Sequence, residues 1–168
     1  MTLRDATEAD VGAITAIYNE VIRTSDAIWL DEEVTVDDRR AWFHSEREAG
    51  HDVVVACDPD GRVVGYGSLG PFRTKSGYWP TVEHSIHLDG DHRGQGIGQA
   101  LLDELVDRAV AARRRVMVAA IDGGNQGSIR FHERNGFRLV GELPGVGRKF
   151  GRTVDLVLLQ RDLPEATP

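Results

Sequence analysis

Cysteine is nearly absent from this chain: Cys57 is the only one in 168 residues, which excludes an intrachain disulfide framework and a multi-thiolate zinc site. Long apolar runs are missing too. No stretch of about 18 apolar residues occurs, so nothing reads as a transmembrane helix, and the N-terminal segment lacks the apolar centre of a signal peptide. Positive charge is in deficit, with 20 Lys and Arg against 27 Asp and Glu and a formal charge of −7. That leaves no global field to attract nucleic acid or an anionic membrane, so an anionic ligand must be gripped by a local site. Internal repeats, low-complexity tracts and linkers are also absent. The expectation is a soluble, cytoplasmic protein with one domain over residues 1–163 and a loose tail over 164–168. A hydrophobic content of 40% suffices for a single core.

What is present alternates between the two periodicities. Leu3 to Ala6 reads as a short strand, and Thr7 with Asp10 three residues on is a weak capping box for a helix carrying Val11, Ile14, Ile17, Tyr18, Val21 and Ile22. Thr35 with Asp38 starts a second helix, which Gly50 stops. Val53 to Cys57 and Val63 to Leu69 flank Asp58-Pro59-Asp60-Gly61 and read as a hairpin. A loop from Pro71 to Pro80 precedes a strand from Thr81 to Leu88. An amphipathic helix follows through Leu101, Leu102, Leu105, Val106, Ala109 and Val110. Val116 to Ile121 is apolar throughout and reads as a buried central strand. A short helix from Ser128 to Asn135 and strands at Phe137 to Val140 and Thr153 to Leu163 complete the chain.

Between strand and helix lies His92-Arg93-Gly94-Gln95-Gly96-Ile97-Gly98. Glycines there let the backbone turn tightly and bring its N–H groups onto an anion at the positive end of the helix. A competing match, Gly65-Tyr66-Gly67-Ser68-Leu69-Gly70, satisfies the dinucleotide pattern G-x-G-x-x-G. That pattern needs a helix next, whereas Pro71, Gly77 and Pro80 follow, so these glycines read as strand residues and a Rossmann oxidoreductase is rejected.

With Arg93, Gly96 and Gly98 matching Q/R-x-x-G-x-G/A, the chain resembles the GNAT acetyltransferases. Three further blocks in order resemble the phosphinothricin and methionine sulfone/sulfoximine acetyltransferase branch: Thr81-Val82-Glu83-His84-Ser85, then Asn125 with Ser128 to Phe137, then Val146 to Arg152. The resemblance implies a mixed α/β fold of about seven strands whose two central parallel strands splay apart. It also implies acetyl-CoA as co-substrate, a small-molecule amine as acceptor, and a homodimer. Two departures are Lys75, where arginine is common, and Thr153, where tryptophan is common.

Acyl transfer to an amine needs a neutral nitrogen and a proton for the departing thiolate. Alternation places Thr81, Glu83, Ser85 and His87 on one face of their strand and Val82, His84, Ile86 and Leu88 on the other. The resemblance makes Glu83 the catalytic carboxylate and His132 the proton donor to the thiolate. A bland reading has Glu83 paired with a cation such as Lys149, and His132 idle on a helix surface. For acetyl-CoA the resemblance implies main-chain pairing with Ile86, His87 and Leu88 and contacts from Arg93 and from Gly94, Gln95, Gly96, Ile97, Gly98 and Gln99. It adds side-chain contacts from Asn125, Ser128 and Arg134. For the acceptor it implies Arg73, Thr74 and Lys75 together with Glu83, His84 and Ser85. Arg73 and Lys75 otherwise read as solvated loop charges, and Asn125 as an ordinary turn residue. No metal is expected, because His84 and His87 point to opposite faces and no ligand spacing accompanies them. Acetylation of peptide or protein amino termini, and a non-catalytic acyl-CoA sensor, are the competing functions.

Overall fold

A computed structural model describes residues 1–165. Seven strands form one sheet: β1 (Thr2–Asp5), β2 (Val53–Cys57), β3 (Val63–Pro71), β4 (Thr81–Leu88), β5 (Val116–Asp122), β6 (Arg138–Lys149) and β7 (Arg152–Asp162). Their spatial order is β1-β2-β3-β4-β5-β7-β6. Helices α1 (Val11–Thr24) and α2 (Val36–Glu48) cover one face, and α3 (Ile97–Ala111) covers the other. A short α4 (Gln126–Arg134) stands beyond the end of β5.

β2 explains why the layers lie on both sides. All five of its residues are buried, with Val54 and Ala56 packed toward Leu101, Leu102 and Leu105 of α3 and Val53, Val55 and Cys57 packed toward Val11, Ile14 and Phe43. A run apolar at every position can satisfy two faces at once. Truncating a fully buried leucine such as Leu105 costs about 2–5 kcal/mol, because the removed methyl groups leave a cavity.

The local signals hold where they were strongest. Thr35 caps α2, its hydroxyl accepting from the Asp38 backbone N–H while the Asp38 carboxylate accepts from the Thr35 backbone N–H at 2.9 Å. At the start of α1 the Asp10 carboxylate accepts from the Thr7 backbone N–H at 2.7 Å and from Arg4, through a short 3-10 turn over Glu8–Asp10. Gly65, Gly67 and Gly70 lie within β3. A side chain at Gly65 would meet Leu88 at 2.6 Å, and one at Gly67 would meet Leu105 at 2.9 Å, so close packing of α3 and β4 on β3 demands glycine.

The expected strand Phe137 to Val140 is too short. β6 runs to Lys149 and pairs with β7 through two register shifts, between Leu139 and Gly141 and between Leu143 and Gly147. The bulges interrupt the period-2 pattern that sequence reading depends on. Phe150 and Gly151 both have positive φ, 49° and 72°, the geometry of a tight turn matched to strand twist. Thus Val146 to Arg152 forms the tip of a hairpin. At the other end, Glu165 pairs with Arg115, and residues 166–168 of the tail expected over 164–168 lie outside the described residues. Among the described residues no helix is long and apolar enough to cross a membrane.

Candidate active site

β4 and β5 are parallel neighbours, yet they pair only at Thr81, Val82 and Glu83 with Val116, Met117 and Val118. Beyond that point β4 stays paired with β3 as far as Leu88, and β5 with β7 as far as Asp122. The strands diverge, leaving backbone donors and acceptors along Ser85–Leu88 and Ala119–Asp122 without a strand between them. Such groups need a partner, and an extended amide-bearing chain can supply one. The opening is a cleft of about 150 Å³ walled by His84 to His87, Ala119 to Asp122, Asn125, Ser128 and His132, with Ala27 at its rim.

At the Leu88 end of β4 the chain makes a short 3-10 turn over Gly90–His92 and then the glycine turn. Gly94 and Gly96 have φ of 75° and 81°, a left-handed backbone that costs other residues about 1–2 kcal/mol. Gly96 is the N-cap of α3, and the first intrahelical bond is Ala100 N–H to the Gly96 carbonyl. The amides of Ile97, Gly98 and Gln99 precede that bond, at the positive end of a 15-residue helix. The Gln99 side chain is occupied elsewhere, donating to Asn135 at 2.7 Å and Asp103 at 2.9 Å. Arg93 is exposed beside the turn.

Glu83 stands where the two strands part, half-buried. Burial raises its carboxyl pKa, and the Arg73 guanidinium partly opposes that rise. A carboxylate pushed upward is a better proton acceptor near neutral pH. Lys149 is not its partner: the ammonium is fully buried and donates to the carbonyls of Ile22, at 2.8 Å, and Leu30. Lys149 thereby ties β6 to the segment joining α1 and α2, which also carries Ala27. Trp29 of that segment fills the space where a side chain at Gly147 would lie, and Arg152 pairs with Asp26 at 2.9 Å.

His84 and His87 do point to opposite faces. His87 packs against Tyr18 and Tyr66, and burial together with the Arg39 charge lowers its pKa to about 4. His84 is buried on the other face against Phe137 and His132, with its pKa lowered to about 3 by burial and then by its histidine neighbours. His132 is buried as well, which lowers its pKa, while a bond to Ser128 opposes the shift. Asn125 caps α4, its side-chain oxygen accepting from Ser128 N–H at 3.0 Å. Arg134 is exposed on the last turn of α4.

Residues 14–137 match the acetyltransferase (GNAT) family. The chain belongs to that family. It is 44% identical to the L-methionine sulfoximine/L-methionine sulfone acetyltransferase of Pseudomonas aeruginosa, over 96% of this chain and 94% of the relative. A phosphinothricin acetyltransferase of Sinorhizobium meliloti, solved in complex with acetyl-CoA, superposes with a TM-score of 0.94 at 40% identity, covering 99% of this chain and 90% of that one. A ribosomal-protein-alanine N-acetyltransferase of Brucella melitensis also reaches a TM-score of 0.94 at 40% identity, covering 97% of this chain and 100% of that one. The splayed β4–β5 pair and the glycine turn are thus set in a GNAT fold, as the sequence resemblance implied.

Within this GNAT fold most of the expected residues fall into three places, while Glu83, Leu88 and Arg134 line neither of the two cavities. His84, Ser85, Ile86, His87, Asn125, Ser128 and His132 share the cleft. Arg93 to Gln99 lie past the Leu88 end of β4. Arg73, Thr74 and Lys75 line a separate hollow of about 230 Å³ with Leu69, Tyr78, Trp79 and Arg114. Of that loop, Arg73 is the residue whose charge reaches Glu83. Two groups escaped sequence reading. Asp122 is buried at the cleft wall, with Oδ1 accepting from Gly124 N–H at 2.8 Å and Oδ2 unpartnered among the described residues. Arg39 is buried over the Tyr18 and Trp42 rings at 4.1 and 3.6 Å. An acidic residue ending an apolar strand was the available signal for Asp122; for Arg39 there was none, since its aromatic partners come from distant positions.

Proposed function

We propose that this protein is an acetyl-CoA-dependent N-acetyltransferase whose acceptor is the α-amine of a small amino acid analogue, such as methionine sulfoximine, methionine sulfone or phosphinothricin. The carrying observation is the cleft between β4 and β5, whose strands part after Glu83 and whose β4 wall leads on through Leu88 to the turn before α3. The β5-facing side of the main chain of Ile86, His87 and Leu88, which has no strand beside it, suits the amides of the pantetheine arm. The turn Arg93 to Gly98 suits the pyrophosphate, with Gln99 contributing its backbone amide and Asn125, Ser128 and Arg134 lying on the α4 side. Glu83 takes a proton from the ammonium, directly or through water. The freed lone pair then forms the N–C bond as the C–S bond breaks, the nitrogen sheds its second proton to water, and the thiolate takes up a proton on the His132 side of the cleft. Arg73 suits the acceptor's carboxylate, because a guanidinium grips it in a bidentate fork. Thr74, Lys75, His84 and Ser85 complete the surroundings of that substrate.

One domain, residues 1–163, carries this activity in our reading, in the cytoplasm, where acetyl-CoA is supplied and Cys57 stays reduced. We also infer a homodimer. β6 is an edge strand, and Leu139, Val140, Leu143 and Val146 on it are exposed, a surface that pairing with a second copy would bury. Light scattering should give twice the chain mass, and a fully active monomer is the contrary result. The function itself is tested by following CoA thiol release from acetyl-CoA over an amine panel. Turnover of the sulfoximine, sulfone or phosphinothricin is the expected result. Turnover confined to peptide amino termini or polyamines would refute the acceptor, and no thiol release with any amine would refute the enzyme.

A further inference from the structure

Lys149 is the last residue of β6, and its side chain has no exposed surface. A buried ammonium is costly unless its donors are met, and here neutral main chain meets them. Nζ donates to the carbonyl of Ile22 at 2.8 Å and to that of Leu30, and it lies 4.2 Å from the centre of the Phe150 ring. Ile22 is in the last turn of α1, so its carbonyl is one of the four that a helix leaves without an internal partner, at the negative end of the dipole. The cation therefore caps α1 from 127 positions away in sequence. Because Leu30 lies beyond the helix, the same ammonium fixes both ends of the loop between the two carbonyls. Three contacts press the hairpin tip onto that loop: Arg152 pairs with Asp26 at 2.9 Å, the Phe150 backbone N–H donates to Asp31 at 3.2 Å, and Trp29 packs over Gly147. The middle of the loop matters for the cleft between β4 and β5, since Ala27 stands on its rim. Glu83 shares a face of β4 with His87, and His87 packs against Tyr18 of α1. The loop leaving α1 is thus on the same side of the sheet as Glu83.

We propose that Lys149 is a positioning residue for the acceptor amine: by joining the carbonyls of Ile22 and Leu30 it holds the loop between them, and with it Ala27, as a fixed wall of the cleft. This rests on reading the cleft as the site of acetyl transfer. A fixed wall leaves a small acceptor fewer poses, and so raises the share of them in which its amine faces Glu83. The turn before α3 is not part of that wall, so acetyl-CoA does not depend on it. Lysine suits the task because its long stem crosses the core and its single nitrogen carries three donors, enough to serve two carbonyls on different bearings. A neutral side chain of equal length would leave both carbonyls without that donor.

The test compares wild type, Lys149→Met and Gly147→Ala by hydrogen–deuterium exchange and by steady-state kinetics with the best acceptor of the amine panel. Methionine keeps an apolar stem and removes the charge and the donors. Alanine at Gly147 leaves Lys149 in place and pushes Trp29 aside, so the loop is disturbed from the other side should Lys149→Met fail to fold. In Lys149→Met the amides of residues 23–31 should exchange roughly tenfold faster or more, while those of β4 keep their protection. KM for the acceptor should rise on the order of tenfold, the scale of one lost hydrogen bond, with KM for acetyl-CoA within about twofold of wild type. Gly147→Ala should move exchange and acceptor KM in the same direction by less. Equal rises in both KM values would make Lys149 a general structural residue and overturn the proposal. So would a folded Lys149→Met with wild-type exchange over residues 23–31 or an unaltered acceptor KM. If that variant does not fold, an unaltered acceptor KM in Gly147→Ala has the same force. No thiol release by wild type with any amine would sink the acetyl-transfer reading instead, and the exchange data, which need no turnover, tell the two failures apart.

Discussion

In the function we propose, the glycine turn before α3 and the histidine corner behind the cleft serve the same site, but their origins differ. In the turn, function follows from consecutive residues: Gly94 and Gly96 supply a left-handed backbone, and the helix that follows supplies aligned amides. In the corner, His84 and His132 are 48 positions apart in sequence, and neither has a meaning until β4 and α4 have been packed together. Anion recognition by main chain is a local property, whereas the protonation state of a buried ring is a property of the assembled core. The two should therefore fail differently, the turn by losing ligand and the corner by losing rate.

The strongest way to break that contrast is Gly96→Glu. A side chain at φ 81° costs about 1–2 kcal/mol, and a carboxylate beside the amides removes a charge-assisted contact worth about 1.5–3 kcal/mol. Calorimetry should show acetyl-CoA affinity falling roughly 10²-fold or more in a protein with unchanged circular dichroism. Undiminished affinity would detach the turn from the pyrophosphate. A smaller effect is expected of Arg73→Ala, which should raise KM for the amino acid acceptor by on the order of tenfold while leaving acetyl-CoA affinity intact. It carries a second readout. The Arg73 charge holds down a Glu83 carboxyl that burial pushes up, so removing it lets the pKa rise. The acid limb of the kcat/KM profile should then move to higher pH. A limb that stays put, or moves the other way, would separate Arg73 from the site.

The same contrast explains what could be seen in the sequence. The order of helices and strands, both threonine caps, the doubly buried β2 and the strand placement of Gly65, Gly67 and Gly70 were legible, because each rests on a periodicity or on a turn chemistry within a few residues. Opposite pointing of His84 and His87 followed from strand alternation alone. The length of β6 was not legible, since bulges near Val140 and Pro144 shift its register. The destination of Lys149 was hidden for another reason: its partners are carbonyls of Ile22 and Leu30, and a backbone carbonyl carries no residue identity. Buried Asp122 and Arg39 were missed on the same ground, because burial of a charged side chain against the statistical trend is decided by tertiary packing.

The smallest effect concerns stability and belongs to the corner and to His87. Their folded pKa values are depressed, to about 3 for His84 and about 4 for His87, from an ordinary 6.5. The unfolded chain therefore takes up protons below pH 6.5 while the folded chain does not, and stability, complete above that value, falls as pH drops toward 4. Asp10, whose pKa is lowered to about 2 by Arg4 and Thr7, adds its loss only at still lower pH. Tm should decline between roughly pH 6.5 and 4.5, and His87→Phe should flatten that decline. A Tm flat across this window would mean that neither ring is held neutral.

The most direct test of the account is Glu83→Gln, assayed for both acetyl-CoA affinity and turnover with the best acceptor of the panel. Glutamine keeps the size of the side chain and removes the proton acceptor at the point where β4 and β5 part. The expected result is kcat lower by roughly 10²-fold or more, acetyl-CoA affinity within experimental error of wild type, and loss of the acid limb in the pH profile. Wild-type turnover by Glu83→Gln would contradict it.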